Sequence, residues 1–176
     1  MKKLLIVVDM QKDFVTGALG SPQAQYIVPF VKSKIDEYKN GGFKIIFTRD
    51  THYENYLDTQ EGKRLPVIHC IEGADGHSVV DELSTAGCEI FDKPTFGSLE
   101  LAKYLADTTN DVEEIELCGL CSDICVVSNA LILKAQFPET NVTVDSRCCA
   151  GVMEESHRAA LLTMKMCQVN VIGEEE

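Results

Sequence analysis

Apolar runs and polar breaks alternate along the chain, and the period of the apolar positions changes as they do. Leu4–Val8 is an unbroken apolar run, the pattern of a strand covered on both faces. Ile27, Val31, Ile35 and Tyr38 then recur at helical spacing, and Asn40-Gly41-Gly42 stops that helix. Phe43–Thr48 predicts a second strand. Residues 49–78 form a long polar connection carrying Gly, Pro and charge, longer than a simple linker, which marks it as functional. The alternation then resumes, with a strand at Glu89–Phe91, a helix over Leu99–Ala106 and a strand at Ile115–Cys118. A helix over Asp123–Gln136 closes ahead of Pro138, and Val142–Val144 is the fifth strand. A last helix has Met153, Ala160, Leu161 and Met164 on one face, and Val169–Ile172 makes a sixth strand. Strands separated by helices, with no repeat or low-complexity tract, predict one α/β domain over residues 1–176. Its sheet should be mainly parallel, with right-handed crossovers.

Composition narrows the partners. At 176 residues the chain can bury one full-sized core. A net charge of −12 argues against nucleic acid and anionic membrane, since neither attracts an acidic surface. Part of that charge lies in Glu174-Glu175-Glu176, read as a solvated end. Lys2 and Lys3 precede only five apolar residues before Asp9. That is short of the roughly 7–15 of a secretory signal. No apolar run approaches the ~20 residues of a membrane span. The expected location is the cytoplasm, where the eight cysteines would be free thiols. Cys118 and Cys121 form a C-x-x-C, but the adjacent Cys148-Cys149 lacks the spacing for the second half of a zinc site.

Reactive side chains collect at the carboxyl ends of the predicted strands, where open parallel sheets bind ligands. Asp9 ends the first strand, Asp50 follows the second, Lys93 follows the third and Cys125 follows the fourth. After the break at Gly119, Ser122 and Asp123 are good N-cap residues, which would put Cys125 in the first turn of a helix. The helix dipole and free N–H groups there lower a cysteine pKa and favour the thiolate, so Cys125 is the candidate nucleophile. Taken singly, Asp9 reads as a turn cap and Lys93 as a solvated surface lysine. As a set with a thiol they make chemical sense. The carboxylate can take the thiol proton and return it to a leaving amine, and the ammonium can hold both negative groups. The long connection carries Asp50-Thr51-His52, Glu61 and His69, a mixed N/O donor set that suits Zn²⁺, Fe²⁺ or Mn²⁺ better than Ca²⁺ or Mg²⁺. Read blandly, it is a hydrophilic loop. The remaining histidines, His77 and His157, are assigned to a loop surface and a helix surface.

From Val7 to about Met164 the chain resembles the isochorismatase-like cysteine hydrolases, and within them the nicotinamidases (pyrazinamidases). Val7-Val8-Asp9-Met10-Gln11-Lys12-Asp13-Phe14 resembles the family's D-x-Q-x-D-F opening. Lys93-Pro94-Thr95-Phe96-Gly97-Ser98 resembles its lysine loop with altered spacing. Gly119-Leu120-Cys121-Ser122-Asp123-Ile124-Cys125-Val126 resembles the G-x-x-T-D-x-C-V nucleophile motif, with Ser122 in place of the usual Thr. Asp145-Ser146-Arg147-Cys148-Cys149-Ala150-Gly151 and His157-Arg158-Ala159-Ala160-Leu161 resemble the later D-x-x-A-G and H-x-x-A-L stretches. Asp50 and His52 fit the family's D-x-H and His69 its later histidine. Glu61 matches the variant with a glutamate where many members have another histidine, and Leu65 lies near the usual place of an aromatic.

The resemblance implies a three-layer α/β/α fold with a six-stranded parallel sheet in the order 3-2-1-4-5-6. It implies Asp9, Lys93 and Cys125 as catalytic residues, with Phe14 and Leu120 in the substrate pocket. It implies a cis peptide at Leu120–Cys121, with the N–H groups of Cys121 and Cys125 as an oxyanion hole. One divalent transition metal, zinc before iron or manganese, would sit on Asp50, His52, Glu61 and His69. The activity implied is hydrolysis of nicotinamide to nicotinate and ammonia through a cysteine thioester. The partner is then a small amide, and a homo-oligomer stays open. Two other readings compete: a metal-independent relative acting on a ureido, carbamoyl or other small amide, and a thiol sensor built on Cys118, Cys121 and Cys125.

Overall fold

The computed structural model describes residues 3–109 and 112–174, so Lys2, Glu175 and Glu176 of the charged ends lie outside the described residues. In chain order the elements are β1 (Lys3–Val8), α1 (Lys12–Val15), α2 (Pro22–Asn40), β2 (Lys44–Asp50), α3 (Gln60–Arg64), β3 (Glu89–Lys93), α4 (Leu99–Thr108), β4 (Glu114–Leu120), α5 (Val127–Gln136), β5 (Asn141–Ala150), α6 (Glu154–Met166) and β6 (Asn170–Ile172). The strands pair in parallel in the order β3-β2-β1-β4-β5-β6, as the resemblance implies. The predicted strands are all present, several of them longer. Asp50 and Lys93 are the last residues of β2 and β3, not the residues after them.

β1 takes the middle of the sheet because Leu4–Val8 has no polar side chain to expose, and all five side chains are fully buried. Helix α2 starts cleanly at Ser21, whose Oγ accepts from the Ala24 N–H at 3.0 Å, with Pro22 in the first turn. Its apolar stripe of Ala24, Ile27, Val31, Ile35 and Tyr38 is buried, and the helix packs across β1, β2, β4 and β5. Helices α4, α5 and α6 pack side by side, with α5 on β5 and α6 on β6. Right-handed crossovers put that group on the face opposite α2, which gives the three layers.

One polar cluster interrupts the seam between α2 and the sheet. Lys34 Nζ stands 2.5 Å from Glu116 Oε1 on β4 and 2.8 Å from Asp145 Oδ2 on β5. The Tyr38 hydroxyl donates to Glu116 Oε2 at 2.6 Å, and Arg147 clamps Asp145 from the rim. Burial alone would push the Asp145 carboxyl up; hydrogen bonds from Arg147 and Lys34 overcome this and hold it below its ordinary 3.8.

Removing the shared cation should therefore be costly. Lys34→Met leaves two buried carboxylates short of a partner and should lower stability by about 3 kcal/mol in urea titrations. Because the Asp145 pKa is depressed on folding, its contribution is complete above the unfolded value and is lost as pH falls through the folded one. Stability should decline on acidification below about pH 4, less steeply in Asp145→Asn, as chemical denaturation across that range would show.

Candidate active site

The strand order reverses between β1 and β4, and the chemistry collects at the carboxyl ends beside that reversal. Register brings the pieces together: Val8 lies opposite both Thr48 and Gly119, and Asp50 lies opposite Lys93. Gly119 has φ +116°, and a Cβ there would fall 2.1 Å from the Val8 carbonyl oxygen, so only bare backbone fits. Asp9 leaves β1 through the left-handed region, at φ 48°. Its backbone N–H still donates to the Thr48 carbonyl at 3.2 Å, and the Thr48 hydroxyl donates to Asp9 Oδ1 at 2.7 Å.

Lys93 is 1% exposed, and its ammonium joins the cluster. Nζ lies 2.5 Å from Asp9 Oδ2, 3.4 Å from Cys125 Sγ and 3.8 Å from Asp50 Oδ1. Burial works against that charge, but Asp9, Cys125 and Asp50 more than restore it and raise the Lys93 pKa above the lysine value. Burial also pushes the Asp9 carboxyl up, against the opposing pull of Lys93.

Cys125 departs from its expected setting. Ser122–Val126 form a five-residue π turn ahead of α5, and neither Ser122 nor Asp123 is an N-cap. Burial, with Asp9 adding to it, drives the Cys125 thiol well above the ordinary cysteine value, the opposite of the lowering expected at a helix start. Asn129 braces the turn: its Nδ2 donates to the Cys125 carbonyl at 2.8 Å, and its Oδ1 accepts from the Ser98 N–H at 2.9 Å. The Leu120–Cys121 peptide is cis, Leu120 is buried and Cys121 is part-exposed.

Asp50, His52, Glu61 and His69 converge, with one donor atom from each within 4.8 Å of the others. His52 Nε2 is 2.8 Å from Asp50 Oδ2 and 3.6 Å from Glu61 Oε1; His69 Nε2 is 3.5 and 3.8 Å from the same two atoms. Buried Asp50 Oδ1 has no hydrogen-bond partner, and His52 Nε2 makes no well-aligned one despite its 2.8 Å approach to Asp50 Oδ2. His69 Nδ1 bonds the Val67 carbonyl at 2.7 Å, which leaves the Nε2 lone pair facing the cluster. Lone-pair atoms this close need a positive charge among them. Burial opposes a charge on His52, yet Asp50 and Glu61 push its pKa up to about 9. Two imidazoles and two carboxylates with orphaned atoms fit a divalent transition metal.

Several further residues support these two clusters. Gln11 clamps Asp50 on both sides: its Oε1 accepts from the Asp50 N–H at 2.7 Å and its Nε2 donates to the Asp50 carbonyl at 2.8 Å. Its Nε2 also reaches the His77 carbonyl at 3.0 Å. Tyr56 is buried against both imidazoles, with ring centroids 4.6 Å from His52 and 5.1 Å from His69. Phe14 lies 5.5 Å from the His69 ring. His77 corrects the expectation of a loop surface: it is 4% exposed and bonds Thr51 Oγ1 at 2.8 Å, behind the Asp50–His52 segment. His157 is also not a free surface group, since its Nδ1 meets Ser122 Oγ at 2.7 Å. Gln11 stands within the D-x-Q-x-D-F stretch and His77 is one of four histidines, so the sequence carries a signal for both; Tyr56 has none. The C-x-x-C cysteines join no group of metal donors among the described residues.

Comparison with known proteins agrees with this geometry. The isochorismatase domain profile matches residues 3–176. The pyrazinamidase of Pyrococcus horikoshii, solved in complex with zinc, superposes with a TM-score of 0.86 at 29% identity, covering 99% of this chain and 100% of that one. The N-carbamoylsarcosine amidase of Thermoplasma acidophilum superposes at 0.81 with 25% identity, covering 100% and 99%. The nicotinamidase of Saccharomyces cerevisiae is 25% identical over 189 residues, covering 81% of this chain and 86% of its own. With the sheet order, the strand-end cluster and the domain profile in agreement, the chain belongs to the isochorismatase family of hydrolases.

Proposed function

We propose that the protein is a cysteine amidohydrolase that releases ammonia from a small heteroaromatic carboxamide, nicotinamide or its pyrazine analogue. The observation that carries this reading is the position of Lys93, whose ammonium contacts Asp9, lies beside the Cys125 sulfur and reaches toward Asp50. A nucleophile cluster and a metal-donor cluster thereby form one site. The nicotinamidase and pyrazinamidase relatives support the substrate class.

Asp9, Lys93 and Cys125 are the catalytic residues in this reading. The Asp9 carboxylate, its basicity raised by burial, takes the Cys125 proton as sulfur adds to the amide carbonyl. The backbone N–H groups of Cys121 and Cys125 receive the oxyanion. Asp9 then passes the proton to the departing nitrogen, so that ammonia leaves and a thioester remains. Water, deprotonated by Asp9, cleaves the thioester; the acid is released and the proton returns to sulfur. Lys93 stays charged throughout and holds the Asp9 carboxylate in place. Asp50, His52, Glu61 and His69 would hold the metal, with zinc the first candidate and iron or manganese next. When bound, the metal supplies a lone-pair acceptor for the substrate's ring nitrogen, a positioning role. Phe14, packed against His69, would wall the ring, and Leu120 would back the pocket. Eight free thiols fit the reducing cytoplasm.

Ammonia release from nicotinamide and pyrazinamide, measured on protein as purified, after chelation and after return of Zn²⁺, Mn²⁺ or Fe²⁺, tests the assignment. Activity should fall with chelation and recover with metal, and His52→Ala and His69→Ala should lower the metal content read by elemental analysis. Ammonia from a carbamoyl amide but not from nicotinamide would overturn the substrate class.

Cys125→Ala should lower kcat by about 10³-fold or more. In Asp9→Asn the rate of Cys125 alkylation by iodoacetamide should fall as well, because the thiol loses its base. Full turnover in Cys125→Ala would end the cysteine mechanism.

A further inference from the structure

The π turn that carries Cys125 is braced at its far end by Asn129, whose Nδ2 donates to the Cys125 carbonyl at 2.8 Å. The N–H groups of Ile124 and Val126 both point to one acceptor, the Cys121 carbonyl, at 3.1 and 3.0 Å. Its first two side chains are instead gripped by the start of α6. Ser122 is fully buried, and its hydroxyl is hydrogen-bonded to His157 Nδ1 at 2.7 Å. Asp123 accepts from the Val152 N–H through both oxygens, at 3.2 and 3.0 Å, and from the Ser156 hydroxyl. Gly151 makes the approach feasible. A Cβ there would stand 2.9 Å from His157 Cβ and 3.0 Å from both Ser122 Oγ and Asp123 Oδ2. The crowding is therefore shared by the three groups that make the grip.

We propose that His157 is a positioning residue for the nucleophile turn, acting through Ser122, and that the first turn of α6 thereby sets the reactivity of Cys125. This rests on the reading of Cys125 as the nucleophile. Ser122 follows Cys121, the residue whose N–H is assigned to the oxyanion, and precedes Cys125 by three residues. Holding its side chain fixes the start of the turn, next to Cys121. The groups assigned to the substrate ring are on other segments, Phe14 on α1 and the metal donors at the end of β2 and in the connection that follows, and of the pocket only Leu120 adjoins the turn. Loosening the turn should then lower the rate of chemistry and leave binding alone.

A double-mutant cycle on Ser122→Ala and His157→Ala provides the test, with ammonia release and iodoacetamide alkylation of Cys125, quantified by mass spectrometry on its own peptide, as readouts. Each single change should lower kcat about tenfold with KM unchanged, the scale of one lost hydrogen bond. The double change should be no worse than either single one, because both remove the same interaction. His157→Asn, whose amide can take the place of Nδ1, should recover most of the rate, and Ser122→Thr should be near wild type. Alkylation of Cys125 should slow in step with kcat. Additive losses, an effect confined to KM, or an equal loss in His157→Asn would overturn the proposal. If the wild type releases ammonia from no amide, the substrate reading fails, and alkylation judges the positioning separately: unchanged rates in both single variants refute it. Should His157→Ala not fold, Ser122→Ala and His157→Asn carry the same comparison, with thermal melting confirming their fold.

Discussion

A lysine ammonium with almost no access to water is the constraint on which the site depends. Burying an unpaired ammonium costs several kcal/mol, so Lys93 can end β3 facing inward only if anions meet it there. Asp9, just after β1, and Asp50, at the end of β2, supply the negative charge, and the Cys125 sulfur comes from the turn after β4. Four consecutive segments of the sheet edge must be in register for one charge to be tolerated. The converse also holds. Asp9 and Asp50 would repel at this depth without the cation between them, and their carboxylates set where the ammonium can sit.

The long connection after β2 is tied to the same edge by the segment that leaves β1. Gln11 bonds both Asp50 and His77, and it forms an antiparallel bridge with Val79. Asp13 accepts from the N–H of Cys70, the residue after His69, at 2.8 Å. His52 bridges to Ile71 in parallel, bringing the two imidazoles from opposite ends of the connection side by side. Tyr56 fills the space behind them and bonds the Leu65 carbonyl through its hydroxyl. A segment that reads as polar and irregular is thus held by a few buried side chains. That is how a connection without a strand of its own can keep His52, Glu61 and His69 beside Asp50 at the end of β2, as a metal site would require.

The fold was legible in the sequence because it rests on period. Leu4–Val8 reads as a buried strand and the α2 stripe as a helix whatever their partners are. Asp9, Lys93 and Cys125 were legible only as a set and by position, since each is ordinary alone and the sheet edge makes them neighbours. Residues whose meaning lies wholly in long-range contact were not legible. Tyr56 is an unremarkable aromatic until it meets His52 and His69, and His77 looks solvated until Thr51 is found against it. The π turn was missed for a related reason. Ser122 and Asp123 are good capping residues by type, but their side chains are spent on α6.

That same local difference changes the account of Cys125. A cysteine at an exposed helix start would be activated in advance, as a standing thiolate. Cys125 is buried in the turn, where its thiol is raised by desolvation and by the neighbouring Asp9 charge. On the proposed reading of Cys125 as nucleophile and Asp9 as base, the proton stays on sulfur until that base takes it, and Asp9 is raised by burial as well. In the proposed mechanism the proton passes between two groups that are both shifted up, and the sulfur that results is a strong nucleophile because its conjugate acid is weak. Lys93 makes that exchange tolerable, since it remains beside a negative charge whether the charge is on oxygen or on sulfur. In that mechanism burial, which looks unfavourable to a thiolate, instead confines it to the moment when a substrate carbonyl is there to receive it.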